Sequence, residues 1–226
     1  MPRRDYFLVS SLPAMGELGS TPPISPRELC GLVDDQPMVL RIVQAVLLGD
    51  DLLQRQSFLA GEIKEVEPSV LTAAQAAGQE PLPAHIEQTD TAAPRVASDA
   101  QWIGYYRYLL ALSHESGVEF LAQYAAFEIA LRNALATARA AALGLEAGDY
   151  LVLGHLGQTD ANLEQVVNDW RAALTPLGGL RLLDEFRWRW LAAHDKWFSF
   201  SLDEFAAYAA KLTLVLRWQR LAEQKR

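Results

Sequence analysis

Apolar residues recur along this chain at spacings of three and four rather than two, so the elements they predict are helices. The clearest stretch is 117–143. There Phe120, Tyr124, Phe127, Leu131, Leu135 and Ala138 form one apolar stripe, and Glu128 and Arg132 stand at i,i+4 in the order that favours an ion pair. Gly144 is a natural stop. A second helix is expected over 102–112. Upstream, Ser25-Pro26-Arg27-Glu28 has the spacing of a capping box, predicting a short helix to about Val33. Pro37 opens another, with Val39, Leu40, Val43, Val46 and Leu47 on its apolar side. Gly49-Asp50-Asp51 is expected to break it, with a further helical piece over 52–59. Tyr6-Phe7-Leu8-Val9-Ser10-Ser11-Leu12-Pro13 is a short apolar run, a strand or an extended arm by its pattern.

Between 61 and 98 the pattern fades. Pro68, Pro81, Pro83 and Pro94 stand among Ala, Gln and acidic residues, so the stretch reads as a linker-like connection with one or two short helices. Its middle, Leu82 to Ile86, is expected to dock on the body, and 88–99 to be mobile. The expected organisation is an N-terminal helical unit (1–60), this linker (61–98) and a main helical unit (99–226). In the last, a Gly-containing turn around 149–159 leads to a helix capped by Asp160. Pro176-Leu177-Gly178-Gly179 should end that helix, and another should follow over 181–193. The loop Asp195-Lys196-Trp197-Phe198-Ser199-Phe200 leads to a final helix with Ser201 and Glu204 at capping-box spacing. Its buried stripe is Leu202, Phe205, Ala209, Leu212 and Leu216. The basic tail of Arg217, Arg220, Lys225 and Arg226 suits the helix C-terminus. The fold class is therefore all-α, a multi-helix bundle with a partly irregular linker in mid-chain.

Composition narrows the chemistry. Half of the 226 residues are apolar, enough for a sizeable core, and the formal net charge is −8. A chain this acidic is a poor binder of nucleic acid or of anionic lipid. A lone cysteine, Cys30, allows no internal disulfide and points to a reducing compartment. Residues 1–10 are too short and polar for a signal peptide, and no apolar run is long enough to span a bilayer.

Candidate catalytic patterns are thin. The histidines His85, His114, His155 and His194 are scattered, with none at i,i+3 or i,i+4 from another, so no metal site is expected. Gly154-His155-Leu156-Gly157 lacks the lysine of a phosphate loop, and no Gly-x-Ser-x-Gly elbow occurs. No cofactor is implied. Phe186-Arg187-Trp188-Arg189-Trp190 reads first as an aromatic core stripe with Arg at its edge. Second, it reads as a protein contact, because Trp and Arg are favoured anchors, and third as a surface that stacks nucleic-acid bases, which the acidic chain disfavours. Trp197 and the Arg217-Trp218 pair join Trp188 and Trp190 as interface candidates. Glu128, Arg132, Asn133 and Arg139 form the one polar cluster on the long helix. It is either a solvated face with one ion pair or a network that sets how helices cross. Three segments, 50–55, 128–133 and 212–217, share a loose pattern near the ends of helical units.

Several of these stretches together resemble a short bacterial family whose genes accompany those of V-type ATPases. They are the opening Tyr6 to Pro13, Leu82-Pro83 with His85-Ile86, Phe127-Glu128 with Leu131-Arg132-Asn133, and the end from Ser201 through Tyr208, Lys211-Leu212 and Arg217-Trp218. A second resemblance, carried by the three segments 50–55, 128–133 and 212–217 and by Leu151 to Leu163, is to the C-type subunit of V-type ATPases (d-type in eukaryotes), whose helical units carry an acidic-x-x-Asn-Leu-Arg motif and a Gly-rich turn before a short helix. Here Arg132-Asn133 shifts that order, and the first and third copies lack the Asn. The resemblance implies a funnel-shaped, non-catalytic coupling subunit of the central rotor. Its partners would be the central shaft subunits and the proteolipid ring, with the membrane touched only through the ring, on the cytoplasmic side of the cell membrane. Two other readings stay open. One is a helical protein–protein adaptor without ATPase association. The other is a helical enzyme built around His155, Asp160 and His194.

Overall fold

The computed structural model describes residues 8–87, 94, 96–197 and 199–223. Every regular element among them is helical, and no strand occurs among the described residues. The chain forms two compact units, 1–80 with 188–226, and 81–187. This division differs from the expected 1–60, 61–98 and 99–226, because the last helix of the chain packs on the helix that begins at Pro37.

The first unit opens with a helical turn over 8–11, where a strand or extended arm was expected; Tyr6 and Phe7 lie outside the described residues. Helix α1 (Pro26–Leu32) has the expected capping box: the Glu28 amide donates to Ser25 Oγ at 3.2 Å and the Ser25 amide to Glu28 Oε2 at 2.8 Å. The Ser25 hydroxyl, donating to Glu28 Oε2 at 2.7 Å, and then the Ser25 amide hold the Glu28 carboxyl below its ordinary range. Helix α2 (Pro37–Leu59) does not break at Gly49-Asp50-Asp51. Both acids are buried there, so neither caps its own backbone; each is matched by groups elsewhere in the unit. A short helix, α3 (Ala73–Ala76), follows with its own Thr72–Gln75 capping box.

The chain's final helix, in the same unit, is buried almost all round rather than along one stripe. From Asp203 to Val215 only Lys211 is part-exposed, while the expected stripe ends Leu202 and Leu216 are only half-buried. A helix that is apolar on every side belongs inside a core. Its small residues Ala206, Ala207, Ala209 and Ala210 let neighbours come close. Tyr208 ties in the N-terminal segment by donating to the Pro13 carbonyl at 3.0 Å, and burial pushes its hydroxyl up to about 12. The expected cap at its start is altered. Glu204 reaches past Ser201 to accept from the Phe200 amide and the Ser199 hydroxyl. Of the basic tail, Arg220 turns inward to Asp50, and Lys225 and Arg226 lie outside the described residues.

In the second unit, α4 (Ala84–Glu87) docks on α5 (Asp99–Ser116), as the Leu82–Ile86 pattern suggested. Ile86 is fully buried and the His85 ring lies 4.4 Å from that of Tyr108. The approach is close because position 104 is glycine: a Cβ there would stand 1.9 Å from the Ile86 carbonyl oxygen. The expected mobility of 88–99 falls largely on positions outside the described residues. Helix α6 (Glu119–Leu143) buries Phe120, Phe127, Leu131 and Leu135 and stops at Gly144, whose φ of 66° suits a residue without Cβ.

Two 3₁₀ turns, Ala147–Tyr150 and Gly154–Leu156, lead to α7 (Leu163–Ala172). Its cap is Asn162, not the expected Asp160, because Asn162 Oδ1 is the group that reaches the Gln165 amide. Helix α8 (Pro176–His194) starts at the very Pro-Leu-Gly-Gly that was expected to end a helix. Proline suits a first position because no helical bond is lost there, and Thr175 caps it through the Gly178 amide at 3.0 Å. The boundary between the units falls within α8, after Arg187. The last helix of the first unit, described above, is α9 (Leu202–Glu223).

Candidate functional site

The second unit contains a charged core. From α8, the Arg187 guanidinium forks onto Glu128 of α6, with Nε–Oε1 at 2.8 Å and Nη2–Oε2 at 3.1 Å. Its third nitrogen donates to Asp184 at 3.1 Å. Asp184 is fully buried, and Glu128 and Arg187 are only 13% and 18% exposed. Burial works against the Arg187 charge. Glu128 and Asp184 more than offset it and hold the guanidinium firmly protonated. The α5 residues Tyr105 and Tyr106 share this interior, and burial raises both hydroxyls well out of the titratable range of water-exposed tyrosine.

Arg132 does not pair with Glu128. It bonds Asp99 at 2.6 Å and lies 5.1 Å over the Trp102 ring. The expected i,i+4 pair loses because each residue finds a less solvated partner on another element, where an ion pair is screened less. Asn133 brackets Val152. Its Oδ1 accepts the Val152 amide and its Nδ2 donates to the Val152 carbonyl, both at 2.9 Å. Beside it, Gly157 seats against α6 so closely that a Cβ would stand 3.1 Å from the Ala130 nitrogen. Arg139 is exposed, with its guanidinium 5.1 Å over Trp170. Of the predicted polar cluster, then, Glu128, Arg132 and Asn133 each fix a different element to α6, and Arg139 caps a fourth.

The first unit has a matching arrangement that sequence reasoning missed. Asp51 stands in α2 at the same distance from Pro37 as Asn133 does from Glu119 in α6. Its carboxylate accepts the backbone amides of Ser69, Val70 and Leu71 at 2.8, 2.7 and 2.8 Å. Asp51 to Val70 and Asn133 to Val152 are both separations of 19 residues. Burial still pushes the Asp51 carboxyl upward against those three bonds, and Asp50 adds to the rise. Next to it, Asp50 receives Arg220 Nη2 on both oxygens at 2.8 Å and Gln54 Nε2 at 3.0 Å. Gln54 in turn accepts the Glu67 amide at 2.9 Å. The stretch read as a linker is thus pinned to α2 over 67–71. The signal available in the sequence was two adjacent acids amid apolar neighbours, which reads equally well as a break.

The aromatic candidates separate. Trp190 is buried and stacks on His194 at 4.1 Å, whose Nδ1 is 2.8 Å from the Trp190 carbonyl. Trp188 is half-buried, with Lys211 Nζ 5.9 Å from its ring; that lysine bonds Asp195 at 2.5 Å. Trp197 is 47% exposed, in a loop where Lys196 and Phe200 both take positive φ. Arg217 and Trp218 are half-buried. Phe186 meets Phe127 at 5.7 Å, and Arg187 beside it is an ion-pair centre rather than an edge residue. His155 and Asp160 are exposed. Cys30 is half-buried, its thiol pushed up by burial. Among the described residues no group of three or more His, Cys, Asp or Glu is placed to hold a metal.

The Asn133 bracket makes a specific prediction. In Asn133→Asp the side chain loses its donor, and a carboxylate faces the Val152 carbonyl. The expected loss is about 1–3 kcal/mol at neutral pH, the cost of an unmatched part-buried polar group. Protonation restores a donor, so the acid's folded pKa lies above its unfolded value. The deficit then shrinks as pH falls through that raised value. Urea denaturation of variant and parent at neutral and acidic pH measures it; a deficit that stays constant with pH would count against the bracket.

Comparison of the chain with known protein families, with curated proteins and with solved structures finds no match.

Proposed function

We propose that the chain is a non-catalytic coupling subunit of the central rotor of a V-type ATPase or ATP synthase. It would link the central shaft to the proteolipid ring on the cytoplasmic side of the membrane. The observation that supports this reading is the duplicated grip. A polar residue at the same register of two long helices, Asp51 in α2 and Asn133 in α6, holds backbone 19 residues further on. Repeated helical units are what the resemblance to the C-type rotor protein implies, and Asp51 and Asn133 fall in two of the three segments that share its loose pattern, 50–55 and 128–133, at different positions within that pattern.

A torque-bearing spacer needs elements that keep their relation under load. The polar side chains fit that need within each unit: Arg187, Arg132 and Asn133 tie neighbouring elements to α6, and Asp50 and Asp51 tie them to α2. No helix among the described residues is long and apolar enough to cross a membrane, which agrees with reaching the membrane through a partner. The funnel shape belongs to the same proposal.

The test is affinity purification of the tagged chain, expressed from its own locus, out of native membranes in mild detergent. Shaft and proteolipid subunits are expected in the eluate at stoichiometric levels. An eluate without either would overturn the reading.

A further inference from the structure

Within the second unit, one weakly held segment lies between two firm attachments. Upstream, Val152 is bracketed by Asn133 and Gly157 is seated on the α6 backbone. Downstream, α8 is fastened by buried Leu183 and by the Arg187–Glu128 fork. Between them runs 158–175, which contains α7.

Helix α7 buries a single residue, Val166. Leu163, Val167 and Trp170 are half-buried, and the rest of the helix is exposed, as are Gln158, Asp160, Asn162, Leu174 and Thr175 around it. A helix of ten residues does not hold itself in water. It persists because the stripe Leu163, Val166, Val167 and Trp170 docks on its neighbours. Trp170 is the largest of these anchors. Arg139 lies over its ring, and Gly179 lies so near that a Cβ there would stand 3.0 Å from Cδ1 and 3.2 Å from Nε1.

We propose that 158–175 is a strap that undocks from α6 as one piece while the rest of the second unit stays folded. Few buried apolar contacts and a solvent-exposed ladder are the physical conditions for low-energy local opening. Undocking turns the stripe Leu163, Val166, Val167 and Trp170 outward and frees Arg139, so the strap is the adjustable surface of this unit. The inference stands apart from the functional reading above.

Hydrogen exchange by mass spectrometry on the full chain under native conditions tests it. Relative to intrinsic rates, amides of α7 are expected to exchange on the order of a hundredfold or more faster than those in the middle of α6. Gly179→Ala is expected to push Trp170 out and widen that gap, leaving α6 protection unchanged. Equal protection of α7 and α6 in the parent, or a variant in which both fall together, would overturn the proposal. Should the variant fail to accumulate, sub-denaturing urea on the parent decides. Local opening predicts α7 exchange insensitive to urea while α6 exchange accelerates, and parallel acceleration of both would refute the strap.

Discussion

Arg187→Met is expected to destabilise the protein by about 3–5 kcal/mol, the largest effect of any single substitution considered, because it strands two carboxylates in a dry interior. The guanidinium serves Glu128 through a fork and Asp184 through its remaining nitrogen. Methionine keeps much of the stem's volume, so the loss reports the charge and not a cavity. Asp184 is the costlier orphan, being fully buried, whereas Glu128 retains a little contact with water. A double variant separates the terms. Adding Glu128→Leu removes one stranded charge and should recover part of the loss, leaving only the Asp184 penalty. Urea denaturation at neutral pH measures both, with the slope checked for constancy. A single-variant loss below about 1 kcal/mol would mean the network behaves like a surface pair, and the description of a charged core would be wrong.

The second large effect runs against helix propensity. An alanine at an ordinary interior helix position is favoured over glycine by about 1 kcal/mol. At position 104 the added methyl would meet the Ile86 carbonyl oxygen at 1.9 Å, its carbon at 2.7 Å and the Ile86 Cα at 3.0 Å. All three are backbone atoms, so no side-chain rotation relieves the contact. Gly104→Ala should therefore cost a net of about 2–3 kcal/mol, as overpacking does when nothing can yield. The loss should be local at first: α4 lifts from α5 and Ile86 leaves its site. Limited proteolysis is expected to cut between 81 and 98 faster in the variant than in the parent, alongside a lower melting temperature. A variant that melts higher, as a free helical glycine would, refutes the close approach.

The helices were legible where periodicity and punctuation agree. The stripe from Phe120 to Leu135, the stop at Gly144 and the Ser25–Glu28 box all follow from local rules that tertiary structure did not override. The failures share a cause. Gly49-Asp50-Asp51 carries the marks of a turn, yet α2 continues through it, because distant groups (Arg220, Gln54 and the amides of 69–71) satisfy both acids. Pro176-Leu177-Gly178-Gly179 was ambiguous in the same way, since proline both ends and begins helices. Here the Thr175 hydroxyl and the Trp170 ring against Gly179 decided the matter.

For the polar cluster, the residues were found but their partners were not. Glu128, Arg132 and Asn133 stood out by type and spacing. Arg187, Asp99 and the Val152 backbone, which they contact, come from three other stretches of the chain. Pairing across such separations leaves no mark in a single sequence. Asp51 is the sharper lesson: an acid that accepts three amides looks, in one dimension, like an acid that ends a helix.

The position of α9 sets an order of assembly at the ribosome. The whole of 81–187 emerges before α9 does, so the second unit has all its parts while the first still lacks its central rod. Until then the apolar side of α2 (Ile42, Val43, Val46, Leu47) has no long helix to lie against, and Asp50 has no Arg220. The nascent chain therefore carries an exposed greasy surface until α9 emerges, of the kind that chaperones hold and that aggregates when they are scarce.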